Sequence, residues 1–215
     1  MFGNPFSTAL PLAPFPLMLR EAACWRGETE VFAGLDMMIE GGALWLIRGD
    51  NGAGKTTLLR LLAGMLRAAG GVVSWGDGQS PRKTPERALF IGHADALKPA
   101  LTVGENLGFW AGFSGFAESP WPQASDPFGV WAYADVPLRA LSAGQRRRVA
   151  LTRLAFSAAP LWLLDEPVTA LDAAGQRTVW ELAAAHRRRG GAVVATTHAP
   201  MNLPDAQEMT LGGLR

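Results

Sequence analysis

The residues with the clearest chemical potential lie in one glycine-rich stretch, GDNGAGKTT. It fits the phosphate-binding pattern G-x-x-x-x-G-K-[ST], in which glycines let the backbone approach a phosphate closely. The backbone N–H groups of such a loop point at phosphate oxygens, and the lysine brings a positive charge to the β- and γ-phosphates. The stretch predicts a site for a nucleoside triphosphate, formed by Gly49, Asp50, Asn51, Gly52, Ala53, Gly54, Lys55, Thr56 and Thr57.

The sequence on either side of this loop supports the prediction. An apolar run of strand length at residues 43–47 precedes the loop, and leucines with helical spacing follow it until Gly70. A helix that begins at the loop adds the positive end of its dipole to the phosphate site. The alternative is a glycine turn that merely precedes a helix, but the Lys55–Thr56 pair and the flanking periodicity favour the binding site.

A second group of chemically capable residues follows the apolar run at 161–164. At the carboxyl end of such a strand, Asp165 can hold Mg²⁺ directly or through water, together with the Thr56 hydroxyl. Glu166 can orient or deprotonate an attacking water. The alternative is a pair of helix-capping carboxylates on a solvated face, but the phosphate-binding loop upstream favours a metal and water site.

The composition excludes several classes of protein. Of the 215 residues, 48% are hydrophobic and 18% are charged, as expected of a soluble protein with ample material for a core. The net charge of +1 gives no general attraction to nucleic acid, and the single cysteine, Cys24, excludes a disulfide framework. No uninterrupted apolar run reaches the roughly 18 residues of a membrane-spanning helix, so any role at a membrane requires a partner.

Apolar strands alternate with helices along the chain, which predicts an α/β fold with a mostly parallel sheet covered on both faces. Residues 93–140, rich in glycine, proline and aromatic residues, predict an inserted lobe that is mainly helical. The prolines of residues 1–17 predict an extended or disordered leader. A start of translation at Met18 is the plainer hypothesis for that segment.

Turn and helix signals predict several element boundaries. Between residues 19 and 40 the glycines predict short strands, separated by turns at 26–27 and 33–34. Helical spacing predicts helices over 146–159 and 173–189. The second helix ends in arginines, which the helix dipole favours there.

Leu141–Gln145, LSAGQ, resembles the signature L-S-G-G-Q of ABC transporter ATP-binding subunits, with alanine in place of the first glycine. The other marks of that family follow in order: the apolar strand that ends at Glu166, the loop Ala170–Asp172, and His198. A GTPase would need the motif N-K-x-D, which is absent, and a kinase of small metabolites would lack the signature. The resemblance implies that Glu166, His198 and Lys55 are the catalytic residues.

The resemblance also implies the architecture, that of a P-loop NTPase with a RecA-like core. Residues 18–215 would form a single domain, with a core of about 18–92 and 149–215 that includes a small N-terminal antiparallel β region. A helical subdomain would occupy about 93–148.

In this family the signature of one copy faces the γ-phosphate that the phosphate-binding loop of a second copy holds. Ser142, Gly144 and Gln145 are thereby implied to bind ATP across an ATP-sandwich homodimer, with an anion-binding helix N-terminus behind them. An ordinary helix-capping role for Ser142 is the alternative. The arginines at 146–148 predict a solvated helix face beside phosphate rather than a nucleic-acid site, because the rest of the chain is not basic.

One difference from the usual ABC pattern indicates a particular group within the family. Most ABC ATPases have a glutamine at the junction with the helical lobe, and counting back from LTV at 101–103 places His93 there. This histidine, with the downstream pattern, resembles the cytochrome c biogenesis ATP-binding export family. His93 acts through water, contacts the γ-phosphate, or is a plain loop residue. Trp25 is an adenine-stacking residue or a surface tryptophan on a strand.

The narrower resemblance implies the ATP-hydrolysing subunit of a complex for haem delivery or export in c-type cytochrome biogenesis, using ATP and Mg²⁺. It implies a peripheral position on the cytoplasmic face of the inner membrane, with a CcmB-like integral membrane permease and other cytochrome c maturation proteins as partners, and no nucleic acid. The alternatives are an exporter subunit for another cargo and a soluble ABC ATPase. The aromatics at 109–113 either line a groove for the permease or pack inside the lobe.

Overall fold

A computed structural model of the chain describes residues 15–113, 126–197, 203 and 205–212. Its elements, in chain order, are eight strands and four helices. The strands are β1 (Leu17–Arg26), β2 (Thr29–Ile39), β3 (Leu44–Arg48), β4 (Gly70–Trp75), β5 (Ala88–Ile91), β6 (Leu161–Leu164), β7 (Ala192–Thr196) and β8 (Gln207–Thr210). The helices are α1 (Lys55–Leu62), α2 (Val103–Phe113), α3 (Ala143–Thr152) and α4 (Ala173–Arg188).

The larger sheet has five strands in the order β5-β6-β7-β3-β8, and every neighbouring pair is parallel. Both central strands β6 and β7 are buried along their whole length. Continuous apolar runs of this kind are what a parallel sheet with both faces covered requires. The predicted α/β fold with a mostly parallel sheet is confirmed.

The smaller sheet is antiparallel, with the order β2-β1-β4. The turn predicted at Arg26–Gly27 is present, but the turn predicted at 33–34 is wrong because those residues lie inside β2. There the pairing steps from Ala22↔Leu35 to Cys24↔Phe32, so β2 carries one more residue than β1. Gly34, at φ +63°, accommodates this bulge, and two long strands result instead of several short ones.

The described residues form two compact units. A helical unit comprises 93–113, 126–158 and 168–185, and a sheet unit comprises 15–92, 159–167 and the described residues from 186 on. Among the described residues, the first stretch of the helical unit starts at His93, and later stretches run past residue 148. The predicted bounds of the helical subdomain, about 93–148, stay a prediction. Within the described ranges, no helix combines the length and the apolar character of a membrane span.

The sheet unit includes the last residues of the predicted leader. Leu17, the first residue of β1, is fully buried, and the Phe15 ring lies edge-on to Trp75 with centroids 5.5 Å apart. Residues 1–14, on which most of the leader prediction falls, lie outside the described residues. The leader and the start at Met18 therefore stay hypotheses.

Helix α3 of the helical unit differs from its predicted bounds. It begins at Ala143 because Ser142 and Gln145 form a reciprocal capping box, which supplies partners for otherwise unpaired N–H groups. After Thr152 the chain continues as a 3₁₀ turn, Arg153–Phe156, so the predicted end at 159 is too late. The helix predicted over 173–189 is observed as α4, one residue shorter.

One buried histidine anchors the core of the sheet unit. The His186 ring is fully buried and stacks on Trp162 with centroids 3.9 Å apart. Its Nε2 lies 3.0 Å from the carbonyl oxygen of Pro160, a contact that a neutral imidazole makes with an Nε2–H donor. A Cβ added at Gly191 would lie 2.2 Å from Nε2, so the ring occupies the space above that glycine. Burial lowers the pKa of His186 from 6.5 to about 4.

Removing this histidine should weaken the dependence of stability on pH. The unfolded imidazole takes up a proton near pH 6.5, whereas the folded one resists protonation down to about pH 4, so stability present above pH 6.5 is lost as the pH falls towards 4. The loss of unfolding free energy between pH 7 and pH 5 should be smaller by about 2 kcal/mol in His186→Gln than in the wild type. Urea unfolding followed by circular dichroism measures it. Equal losses in both proteins would contradict the assignment.

Candidate functional site

The phosphate-binding loop of the sheet unit is folded around the ammonium group of Lys55. Its Nζ donates to the carbonyl oxygens of Gly49 (2.7 Å) and Asp50 (2.9 Å), and the side chain is 7% exposed. These contacts hold the ammonium group within the curve of the loop, where a phosphate chain would meet it. The position of Lys55 fits the role predicted for it.

Two glycines of the loop are required by close packing as well as by backbone conformation. Gly49 and Gly54 have φ of +138° and +96°, in the region that favours glycine. A Cβ at Gly49 would lie 2.4 Å from the Leu211 carbonyl oxygen, and one at Gly54 would lie 2.4 Å from Cγ1 of Val31. The loop is thus held between the end of the chain and β2, and side chains at these positions would displace it.

Helix α1 begins directly after the loop with an N-terminus that protein groups leave uncapped. The N-cap residue is Gly54, no side chain caps the helix, and its first turn contains no acidic residue. The first N–H groups of a helix lack intrahelical partners and carry the positive end of the dipole. With Lys55 beside them, these N–H groups are able to bind an anion.

The carboxylate of Asp165, at the end of β6, joins the loop to two strands. Asp165 is 1% exposed and accepts from the hydroxyls of Thr56 (2.7 Å) and Thr196 (2.8 Å). The Thr196 hydroxyl in turn accepts from the backbone N–H of Glu166 (2.9 Å). A single chain of hydrogen bonds therefore connects Thr56, Asp165, Thr196 and Glu166.

The chemistry of this donor set fits Mg²⁺. A hydroxyl oxygen and a carboxylate oxygen 2.7 Å apart are hard ligands of the kind that Mg²⁺ prefers, and the ion usually completes its shell with water and phosphate oxygens. Within the part of the chain that the structure describes, no cluster of three or more His, Cys, Asp or Glu side chains forms a metal site. Thr56 and Asp165 would thus hold the ion together with a bound nucleotide.

Glu166 is placed by its backbone at the carboxyl end of β6. Its φ is +47°, a left-handed conformation that a residue other than glycine adopts at a cost of about 1–3 kcal/mol. The hydrogen bond from its N–H to Thr196 helps to hold that conformation. The residue is partly exposed, as a residue that meets a water must be.

The signature residues lie in the helical unit at the start of α3. The Gln145 N–H donates to Oγ of Ser142 (3.2 Å), and the Ser142 N–H donates to Oε1 of Gln145 (2.9 Å). Both side chains are exposed, as is Ala143. A Cβ at Gly144 would lie 2.8 Å from the carbonyl oxygen of Ala170, so this glycine packs directly on the loop that follows residue 168.

That loop is tied to α3 a second time. Nη2 of Arg148 donates to both carboxylate oxygens of Asp172, each at 2.8 Å. The Gly175 N–H and the Arg148 guanidinium hold the pKa of Asp172 below its ordinary value. The helix that begins with the signature and the loop at 170–172 thus form one local structure.

The arginines after the signature do not form the solvated face predicted for them. Arg147 is 6% exposed and makes a 3.1 Å ion pair with Asp95, while Arg146 and Arg148 are partly exposed. The prediction failed because residue spacing alone does not reveal a carboxylate from a distant part of the chain.

For three other predicted residues the structure gives no evidence of a role. His198 lies outside the described residues. His93 is exposed in the loop that opens the helical unit. Trp25, on β1, is 52% exposed, which fits either of the roles considered for it.

Sequence reasoning missed Thr196 as a site residue. Its hydroxyl connects Asp165 with the Glu166 backbone. From sequence alone, however, a threonine in a strand that contains valines is indistinguishable from an ordinary strand residue, because β-branched residues are common in strands. The available signal was topological, since β6 and β7 are parallel neighbours and their carboxyl ends meet at one edge. Polar residues at both ends are therefore expected to meet.

The chain is similar in sequence to proteins of one family. Residues 32–169 match the family model of the ABC transporter. The chain is 44% identical to the cytochrome c biogenesis ATP-binding export protein CcmA of Rhodospirillum rubrum, over 98% of this chain and 92% of that protein. It is 47% identical to the protein of the same name from Nitrobacter winogradskyi, over 88% of this chain and 94% of that protein.

The fold is shared with solved ABC structures. A dimeric post-hydrolysis state of an ATP-binding cassette bound to ADP and Pi matches with a TM-score of 0.71 at 23% identity, over 85% of this chain and 88% of that chain. At this identity the match supports the fold alone. The sequence matches show that the chain belongs to the ABC transporter family and, within it, to the cytochrome c biogenesis ATP-binding export proteins.

Proposed function

We propose that this chain is the ATP-hydrolysing subunit of an ABC transporter complex that serves cytochrome c biogenesis. The observation that carries the proposal is the hydrogen-bonded chain from Thr56 through Asp165 and Thr196 to Glu166, beside a complete phosphate-binding loop. It brings together a phosphate site, hard oxygen ligands and a candidate water-orienting carboxylate. The family relationship supports ATP as the nucleotide.

In the proposed mechanism the loop and the N-terminus of α1 bind the β- and γ-phosphates, with Lys55 at their centre. Mg²⁺, held by Thr56 and Asp165, would neutralise charge on the phosphates. Glu166 orients the water for in-line attack on the γ-phosphate and accepts its proton. His198 would contact the same phosphate.

The proposed catalytic unit is a dimer of two copies with two ATP between them. Ser142, Gly144 and Gln145 of one copy would face the γ-phosphate held by the other. The exposure of Ser142 and Gln145 at the N-terminus of α3 supports this, because an anion can reach that end of the helix. The structural relative bound to ADP and Pi is itself dimeric.

For the cargo we propose haem, delivered or exported on behalf of c-type cytochromes. The support is the shared name of the relatives at 44–47% identity, which describes export in cytochrome c biogenesis. A CcmB-like permease and other maturation proteins would hold the chain peripherally on the cytoplasmic face of the inner membrane. The same relationship argues against another cargo and against a soluble ABC ATPase.

The surface proposed for the permease lies on α2 of the helical unit. The side chains of Phe109 and Phe113 are 53% and 79% exposed, and both rings lie edge-on to Trp110 between them. Adjacent large apolar groups that face solvent are typical of a protein interface. The alternative considered for these aromatics, packing inside the lobe, does not fit the two phenylalanines.

Replacing Glu166 by Gln should stop turnover and preserve nucleotide binding. The amide keeps the size of the side chain but cannot accept the proton of water, so phosphate release should fall by about a hundredfold or more. Gel filtration with ATP should then show a trapped dimer. Glu86→Gln, on an exposed residue of the sheet unit, is the matched control.

Lys55→Ala should neither hydrolyse ATP nor form the dimer, and full activity of Lys55→Ala would refute the proposed function.

Removing the Thr196 hydroxyl should impair catalysis more than binding. In Thr196→Val, Asp165 loses a donor and the Glu166 N–H loses its acceptor, so kcat should fall about ten- to a hundredfold. The KM for ATP should change less than about twofold, because the phosphate-binding loop is intact. Steady-state ATPase assays measure both, and Thr196→Ser should restore kcat. A wild-type kcat for the valine variant would contradict the positioning of Glu166 through this hydroxyl.

Truncating the exposed phenylalanines should separate assembly from ATP hydrolysis. Phe109→Ala with Phe113→Ala removes apolar surface, so co-purification with the membrane subunit should fall at least about fivefold. The ATPase activity of the isolated chain should be retained. Met38→Ala, 51% exposed on the sheet unit, is the control for loss of an exposed apolar side chain. Undiminished co-purification of the double variant would show that the permease binds elsewhere.

A further inference from the structure

We propose that Asp95 is a positioning residue for ATP hydrolysis: its ion pair with Arg147 fixes the loop that follows His93 onto helix α3, whose first turn carries the signature. The inference rests on the proposed function, since it assigns a purpose to a contact between the loop at His93 and the helix that carries the signature. Asp95 itself touches no nucleotide in this scheme. It acts by holding His93 and Ser142 in a constant relation within the helical unit.

The ion pair is placed to act as a constraint rather than as a surface contact. Nη1 of Arg147 lies 3.1 Å from Oδ1 of Asp95, and the two side chains are 7% and 23% exposed. A buried charge that loses its partner is strongly destabilised, so a buried arginine restricts where its carboxylate can move. Arg147 follows Ser142 on the same helix, and Asp95 follows His93 on the same loop.

The charge of the same carboxylate also acts on a second buried arginine. Arg153, 6% exposed, lies in the 3₁₀ turn after α3, and its guanidinium carbon lies 3.7 Å from the ring centroid of Trp110. Burial lowers the pKa of Arg153 to about 10, and the negative charge of Asp95 opposes that shift. The Trp110 Nε1–H donates to the carbonyl oxygen of Ala96 (3.2 Å). The negative charge of Asp95 therefore acts on two buried arginines, Arg147 on α3 and Arg153 in the 3₁₀ turn that follows it.

The remainder of the loop is held closely. Asn106, 2% exposed, accepts from the Lys98 N–H (2.8 Å) and donates to the Lys98 carbonyl oxygen (3.1 Å). The backbone N–H of Leu138 donates to the Leu101 carbonyl oxygen (3.0 Å), close to the start of the signature. Ala96, next to Asp95, has φ +53°, a conformation that needs support from its surroundings. Because these contacts tie the loop to its surroundings, we expect the segment at His93 to move with α3.

The test compares Asp95→Asn and Arg147→Met, singly and together, with the wild-type chain. Asp95→Asn should lower kcat for ATP about tenfold and leave the affinity for a fluorescent ATP analogue within about twofold, because binding depends on Lys55 in the sheet unit. The double variant should be no slower than Asp95→Asn alone, since that substitution already removes the ion pair that Arg147→Met would remove. The charge-reversed pair, Asp95→Arg with Arg147→Asp, should recover part of the kcat lost in Asp95→Arg alone.

The matched control is Asp77→Asn, which removes an ion pair with Arg87 (2.9 Å) in the sheet unit and should leave kcat unchanged. A kcat for Asp95→Asn within twofold of wild type, or additive losses in the double variant, would overturn the proposal. Should Asp95→Asn fold poorly, Asp95→Glu replaces it; an unchanged kcat would overturn the proposal, and a loss of about threefold would support it. Loss of activity in Lys55→Ala with full activity in Asp95→Asn would refute this inference alone and leave the ATPase assignment intact.

Discussion

The candidate site of the sheet unit depends on one buried carboxylate. Asp165 ends a strand whose every side chain is buried, so its negative charge can be kept there only with donors around it. The hydroxyls of Thr56 and Thr196 supply two of them. Thr56 lies in the first turn of α1 and Thr196 is the last residue of β7. Hydrogen bonds from both hydroxyls to this carboxylate therefore also fix the relative positions of helix and strands. The need of the buried Asp165 carboxylate for hydrogen-bond donors thus determines how α1, β6 and β7 are arranged at this edge of the sheet.

The same logic operates in the helical unit, with the sign of charge reversed. Two arginines there are almost fully buried, and Asp95 is the carboxylate that faces them. Stacking over the Trp110 ring provides part of the stabilisation that water would otherwise give Arg153. Each unit thus carries its buried charge beside the residues that the family relationship connects with ATP. Such charges are costly in a core and are most easily understood where they hold functional segments in place.

Local patterns sufficed to predict the parts of the molecule that short-range chemistry determines. The phosphate-binding loop, the buried strand before Asp165 and the cap at Ser142 are each set by a few consecutive residues, and the α/β fold follows from their alternation. The bulge at Gly34, the burial of Arg147 and the bridging role of Thr196 depend on partners far away in sequence. Helix α3 began earlier than its apolar spacing indicated, because hydrogen bonds of the capping box, not apolar periodicity, determine where it starts.

The close approach of Gly144 to the Ala170 carbonyl accounts for an asymmetry within the signature. Position 143, whose side chain is exposed, accepts a methyl group where the family pattern has glycine, and the chain does carry alanine there. At position 144 the same methyl group would collide with backbone that has no rotamer to change. Two neighbouring glycine positions of a motif can therefore differ in whether they tolerate a side chain. At position 143 a side chain can extend into solvent. At position 144 the absence of a side chain sets the distance between α3 and the loop at Ala170.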